Sequence, residues 1–261
     1  GGMGQVYLAQ DLALDRPVAI KVVPPAVALD QGRRERLIRE ARAQARIQHP
    51  NVAHIYFIGE EHDVLFFAME FIDGKTVADR LRDGPIEPER AIEWMRMAAE
   101  GLRAASAHGF THRDIKPSNL MIDRHGVVKV VDFGLVFDGS NDAPVHGAEA
   151  ATVESTRLIG TPLYMSPEQA RGGAIDHRTD IYSLGATLYH LLSGRPPFSA
   201  DSAQELLAQH AAAPRPAPNP TLRWRRYRPL AELCQRMMAV DPDQRPPTYE
   251  AVIAEFDRAS T

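Results

Sequence analysis

The sequence predicts an α+β chain, strand-rich through residue 72 and mainly helical from residue 73 to residue 261. Three observations predict it. Runs rich in β-branched and aromatic residues recur before Asp73-Gly74. Apolar residues recur at helical spacing after it. A length of 261 residues with 44% apolar side chains is enough to bury a large core in one or two lobes.

The elements follow in order. Val18-Ala19-Ile20-Lys21-Val22-Val23 is a short β-rich run ended by Pro24-Pro25. Arg33 to Ile47 carries Leu37, Ile38, Ala41 and Ala45 at helical spacing among charges, and His49-Pro50-Asn51 stops it. Strand-like runs return at Val52–Ile58 and Val64–Phe71. Pro88 stands near the start of a helix whose Ile92, Met95, Ala99 and Leu102 share a face, closed by His108-Gly109. Val127 to Val131 reads as a strand, and further helices are expected at Asp180–Ser193, Asp201–Ala212, Pro229–Ala239 and Thr248–Ala259. Alternate prolines from Pro214 to Pro220 forbid both helix and central strand, so that segment reads as a surface connector rather than a ligand for another domain.

Composition narrows the function classes. A net charge of −4 with scattered Lys and Arg gives no basic excess for nucleic acid. The run Arg223-Trp224-Arg225-Arg226-Tyr227-Arg228 reads as a solvated turn before a helix. Cys234 is the sole cysteine, so no internal disulfide is possible, which fits a reducing compartment. No apolar run is long enough to span a membrane, and no signal peptide opens the chain. Beginning on Gly rather than Met, the chain reads as an excised domain, either cytoplasmic or the cytosolic part of a membrane-anchored parent.

The chemistry concentrates in His112-Arg113-Asp114-Ile115-Lys116-Pro117-Ser118-Asn119, followed thirteen positions after Asn119 by Asp132-Phe133-Gly134. These strings place two carboxylates, an ammonium and a carboxamide on two loops divided by a strand-like run. Phosphoryl transfer needs such a set: a group to orient the attacking hydroxyl, hard oxygens for magnesium, and positive charge on the migrating phosphate. A solitary His-Arg-Asp would be a weak signal. The full string with Asp-Phe-Gly at this separation is specific, and it resembles the catalytic and metal loops of the protein kinase family.

The resemblance covers nearly the whole chain. It implies a bilobal protein kinase fold: a small β-rich N-lobe with one main helix over residues 1–72, and a larger, mainly α-helical C-lobe over 73–261. Gly1, Gly2 and Gly4 resemble the later part of a Gly-rich loop, where the missing Cβ lets backbone N–H groups approach phosphates. The first Gly of the family pattern and the strand before it are absent, so weakened nucleotide binding is expected of the chain as it stands. By resemblance, Lys21 contacts the α- and β-phosphates and pairs with Glu40. The Glu70 carbonyl and Ile72 N–H meet the adenine edge, Met69 is the gatekeeper, and Val6, Ala19 and Met121 sandwich the ring. Taken singly, these apolar residues read almost as well as ordinary core.

In the same resemblance Asp114 aligns the substrate hydroxyl, Lys116 neutralises the γ-phosphate, and Asn119 and Asp132 ligate Mg2+, with ATP as phosphate donor. Thr161, in Gly160-Thr161-Pro162, bridges Asp114 and Lys116. Asp180 holds the backbone of the catalytic loop, and Arg245 pairs with Glu168, with Ser166 standing where Ala is usual. Lys116-Pro117-Ser118-Asn119 and the Thr161 loop resemble Ser/Thr rather than Tyr kinases, and the wordings from Gly1 to Ala9 and from Met165 to Gln169 resemble the eukaryotic-like Ser/Thr kinases of bacteria, which implies protein substrates with Ser/Thr acceptors and self-association for autophosphorylation. Arg113 beside Asp114 implies a switch in which phosphate on Thr152, Ser155 or Thr156 orders the segment from Leu135 to Ile159. Two rivals stand. A catalytically silent scaffold predicts damage at Lys21, Asp114, Asn119 or Asp132, all of which are intact. A small-molecule kinase would not be expected to carry the Thr161–Glu168 segment, Asp180 and Arg245 together. Gln44, where an apolar residue usually continues the packed column after Glu40, is a departure that bears on helix placement.

Overall fold

A computed structural model of the chain describes residues 5–133, 162–216, 218 and 226–260. Four antiparallel strands form the first sheet: β1 (Val6–Asp11), β2 (Arg16–Val22), β3 (Ile55–Glu61) and β4 (Val64–Glu70), in the spatial order β1-β2-β4-β3. Between β2 and β3 lie the short α1 (Pro25–Ala28) and the main helix of this part, α2 (Gln31–Gln44). The Asp30 carboxylate accepts the Arg33 backbone N–H at 2.9 Å, satisfying one orphan donor, so α2 begins two residues before Arg33. Its Leu37 and Ala41 pack on Ile55, Leu65, Phe67 and Met69. Leu37→Ala here costs about 2–5 kcal/mol by the usual burial and cavity terms.

The strand expected at Val52–Ile58 is displaced to Ile55–Glu61 because residues 51–53 are bonded elsewhere. Asn51 Nδ2 donates to Val128 O at 2.7 Å, Val130 N to Asn51 O at 2.9 Å, and Ala53 N to Val130 O at 3.0 Å. Those bonds stitch the first sheet to a second, three-stranded one made of β5 (Gly74–Thr76), β6 (Leu120–Asp123) and β7 (Val128–Val130). Asn51 also lies against α4 (Pro88–Ser106), where a Cβ on Gly101 would stand 2.4 Å from Asn51 O; only glycine admits that approach.

Among the described residues the remaining elements are helices: α3 (Val77–Leu81), α4, α5 (Pro167–Ala170), α6 (His177–Ser193), α7 (Ala203–Ala212), α8 (Arg228–Met237) and α9 (Tyr249–Ala259), with short 3-10 turns between them. α6 is buried on nearly every face from Thr179 to Leu192, as a helix at the centre of a bundle must be. It ends at Gly194, φ 73°, whose left-handed backbone lets its N–H return to His190 O. The larger core gathers α4, α6, α8 and α9 around Met95, Leu102, Tyr182, Leu233, Met237 and Phe256. No helix among the described residues is long and apolar enough to cross a membrane.

Candidate active site

The site is built on the two loops flanking β6 and β7. Arg113 adopts φ 68° and Asp132 φ 61°, left-handed conformations that cost a non-glycine residue of order 1–3 kcal/mol and persist only where neighbours over-determine them. The neighbours are present. Asp180, fully buried near the start of α6, accepts the His112 N–H on Oδ2 and the Arg113 N–H on Oδ1, each at 2.7 Å. Burial pushes the Asp180 pKa up, opposed by these hydrogen-bond donors. Gln169 Nε2 donates to Arg113 O at 2.8 Å. Ser166, unusual by resemblance, proves to cap α5: its Oγ accepts Gln169 N–H while Gln169 Oε1 accepts Ser166 N–H at 3.0 Å. That reciprocal cap orients the Gln169 amide toward Arg113.

Within the loop, Lys116 Nζ lies 2.7 Å from Asp114 Oδ2. Asn119, on a short 3-10 turn, donates Nδ2 to Asp114 O at 2.8 Å and to Asp114 Oδ2 at 2.9 Å. The carboxylate can only accept, so the amide NH2 must face it, and Asn119 Oδ1 faces away.

His112 joins this loop to the next. Its Nδ1 accepts Asp114 N–H and its Nε2 lies 2.9 Å from Val131 O. An amide N–H only donates and a carbonyl only accepts, so the ring is neutral with its proton on Nε2. Val131 N in turn donates to Asn119 O at 3.0 Å, and the buried Phe133 ring stands 4.7 Å from the imidazole. Asp114, Asn119 and Asp132 are thereby held on one scaffold.

From the first sheet, the buried Lys21 reaches across to the same place, its Nζ 2.6 Å from Asp132 Oδ1. The expected Lys21–Glu40 pair is not formed here: Glu40 pairs with Arg36, one helical turn back, at 3.0 Å. Gln44 is buried at the end of α2. The register places Val6 opposite Lys21 and Met69 opposite Ala19, so these four share one face of the sheet. Val6 is 58% exposed, whereas Met69 and Ile72 are buried and Ala19 and Met121 half-buried. The Glu70 carboxylate has partners that sequence reasoning missed, Lys129 Nζ at 2.9 Å and His54 N–H at 3.3 Å. Gly1, Gly2, Gly4, Thr161, Thr152, Ser155 and Thr156 lie outside the described residues.

The donor set fits a nucleotide-bound magnesium ion. Among the described residues no three His, Cys, Asp or Glu converge as an all-protein cage would require. Asn119 Oδ1 and the Asp132 carboxylate are hard oxygens of the kind Mg2+ takes one or two at a time, completing its shell with phosphates and water. Two cationic side chains are available for phosphate charge, Lys21 beside Asp132 and Lys116 beside Asp114.

Beyond the loops, Arg245 forms a two-pronged pair with Glu168, Nη1–Oε1 and Nη2–Oε2 both 2.7 Å, as the resemblance implied. Its side chain is fully buried and also donates to Ala239 O and Arg178 O.

The family model for the protein kinase domain matches residues 1–256. The chain is 39% identical over 267 residues to the serine/threonine-protein kinase PknB of Mycolicibacterium smegmatis, covering 99% of this chain and 41% of that protein. It is 36% identical over 262 residues to the serine/threonine-protein kinase PrkC of Bacillus subtilis, covering 99% and 39%. The chain thus spans about two fifths of the length of these curated relatives. In fold it resembles the crystal structure of the Mycobacterium tuberculosis PknI kinase domain, with TM-score 0.71 and 24% identity over 99% of this chain and 92% of that one.

Proposed function

The chain belongs to the protein kinase family, and we propose that it transfers the γ-phosphate of ATP, with Mg2+, to Ser and Thr hydroxyls of proteins. The observation that carries this reading is the bonded set Asp114–Lys116–Asn119, held against Asp132 through His112 and Val131. Asp114 Oδ2 is taken by Lys116 and Asn119, which leaves Oδ1 to accept the hydrogen bond of an incoming hydroxyl and align it for in-line attack. Lys116 bears on the phosphate as charge moves to it. Asn119 Oδ1 and Asp132 would hold the metal, whose chemistry is to offset the charge that builds on the phosphate oxygens. Lys21 serves the phosphates nearer the nucleoside once it exchanges Asp132 for them. Met69, Glu70 and Ile72 frame the adenine edge at the end of β4, where we set the lobe boundary at residues 72 and 73.

Regulation fits the same site. Arg113 is exposed and has no ion pair among the described residues, so its guanidinium is available to a phosphate on Thr152, Ser155 or Thr156. The full-length protein's substrates, self-association and cytosolic placement are part of the same proposal. The pairing of Glu40 with Arg36 favours a second reading, a weakly active scaffold. One experiment separates them: incubation with Mg-ATP and phosphosite mapping by mass spectrometry, with Asp114→Asn as control. Phosphate gained by the native chain and not by the variant supports the enzyme; none on either supports the scaffold.

A further inference from the structure

We propose that Tyr249 is a positioning residue for phosphotransfer, its hydroxyl steadying the Asp180 carboxylate that carries the backbone of His112 and Arg113. The inference rests on the phosphotransfer reading above.

Asp180 is fully buried, and its carboxylate has several lone-pair sites to fill. Backbone N–H groups of the catalytic loop fill one on each oxygen. Tyr249, the first residue of α9 and only 2% exposed, supplies the third donor, its Oη 3.1 Å from Oδ2. The hydroxyl also lies 3.4 Å from His177 O, but a phenol has one proton, and the nearer, charged acceptor takes it. A buried carboxylate short of a donor is costly, so this hydrogen bond favours the charged, correctly turned Asp180.

Tyr249 is held in place to do this. Its ring lies against the His177 ring at 5.9 Å, and His177 Nε2 donates to Pro247 O at 2.8 Å. The Thr248 side chain caps α9 by accepting Ala251 N–H. The hydroxyl is therefore a rigid strut from α9 to Asp180, and Asp180 is the bond that keeps Arg113 in its left-handed turn. Asp114 follows Arg113 directly, so slack at Asp180 becomes misplacement of the group that meets the substrate hydroxyl. Small errors of that kind act on the chemical step rather than on binding.

Tyr249→Phe removes one oxygen and leaves the ring. We expect kcat to fall about tenfold, equivalent to about 1.4 kcal/mol of barrier, with KM for ATP and peptide unchanged. We also expect amide hydrogen exchange at His112 and Arg113 to accelerate. The exposed neighbour Glu250, changed to Gln, leaves both readouts at the native level. An unchanged kcat in Tyr249→Phe overturns the proposal. So does a loss matched by a lower folded fraction with native exchange at His112 and Arg113, which marks a merely structural tyrosine. If the native chain itself transfers no phosphate, the phosphotransfer reading fails and the positioning role falls with it, while the exchange comparison still reports whether Tyr249 holds the loop.

Discussion

Lys21 Nζ stands 2.6 Å from Asp132 Oδ1, an ion pair that joins β2 to the loop after β7 across 111 residues. The lysine is buried, so it requires a partner, and in this arrangement the partner is the proposed metal ligand rather than Glu40. A nucleotide with its metal would compete for both members of the pair.

Glu40→Gln separates the role of that glutamate from its present contact. The Arg36–Glu40 pair is half-exposed at i,i+4 spacing and contributes only about 0.3–0.5 kcal/mol. Urea unfolding should therefore shift by no more than about that amount, while kcat/KM falls at least about tenfold if Lys21 changes partner in the working state. Full activity in the variant would show that Lys21 works without Glu40. Lys21→Met should lose at least about a hundredfold in transfer with native circular dichroism.

Arg245→Ala should destabilise the fold by about 3–5 kcal/mol, because it strands Glu168 without its buried counter-charge. The pH dependence has a definite sign. Burial alone would raise the Glu168 pKa, but hydrogen bonds from Arg245 and Thr179 and the Arg245 charge outweigh it, leaving the folded value below 4.5. The stabilisation is thus complete above that ordinary value and is lost as pH falls through the lower, folded one. Denaturant midpoints measured from about pH 6 down to about pH 3 should show this loss, and Glu168→Gln should flatten it. An equal slope in the variant would remove Glu168 as its source.

His210 shifts the proton balance in the same direction, at higher pH. Burial, reinforced by the Arg215 charge, lowers its pKa from 6.5 to about 4, and its Nδ1 lies 2.7 Å from the Tyr182 hydroxyl. Between those values the unfolded chain binds a proton that the folded chain refuses. Stability therefore declines as pH falls from 6.5 toward 4, by up to about 1.4 kcal/mol per unit. Burial lowers His190 in the same direction. Comparing unfolding free energies at about pH 7 and about pH 5, His210→Gln should lose less than the native chain. A variant that loses as much would assign the decline to other groups.

Arg113→Ala tests the phosphate switch. Phosphatase treatment should lower native activity by about tenfold or more, and the variant should show the same activity before and after treatment. Because the substitution keeps Cβ and the backbone bonds to Asp180 and Gln169, the loop should persist in it. Equal native activity with and without phosphate would end the switch hypothesis.

Legibility varied with the range of the forces involved. Helix α2 was readable from Leu37 and Ala41 in one stripe, although its start at Asp30 emerged only from the cap. Strand β1 went unread: its outward residues, including Leu8 at 66% exposure, follow no buried alternation, and its register comes from β2. The three-residue β5 exists through pairing with β6, so close that a Cβ on Gly74 would meet Ile122 O at 1.9 Å. Asp180 and Arg245 were read from their motifs. Tyr249, Gln169 and Lys129 were not, since nothing in their neighbours in sequence announces what each touches.

The amino-acid string alone determined the family and the candidate reacting groups, because Asp114, Lys116 and Asn119 fall within one short loop whose chemistry is local. Tertiary structure alone decided their partners: Lys21 with Asp132, Glu40 with Arg36, Tyr249 with Asp180. Local propensity sets helices and turns through neighbours a few residues away, whereas an ion pair or hydrogen bond needs heavy atoms within about 3 Å. Only the packing of sheet against helix can bring distant residues that close.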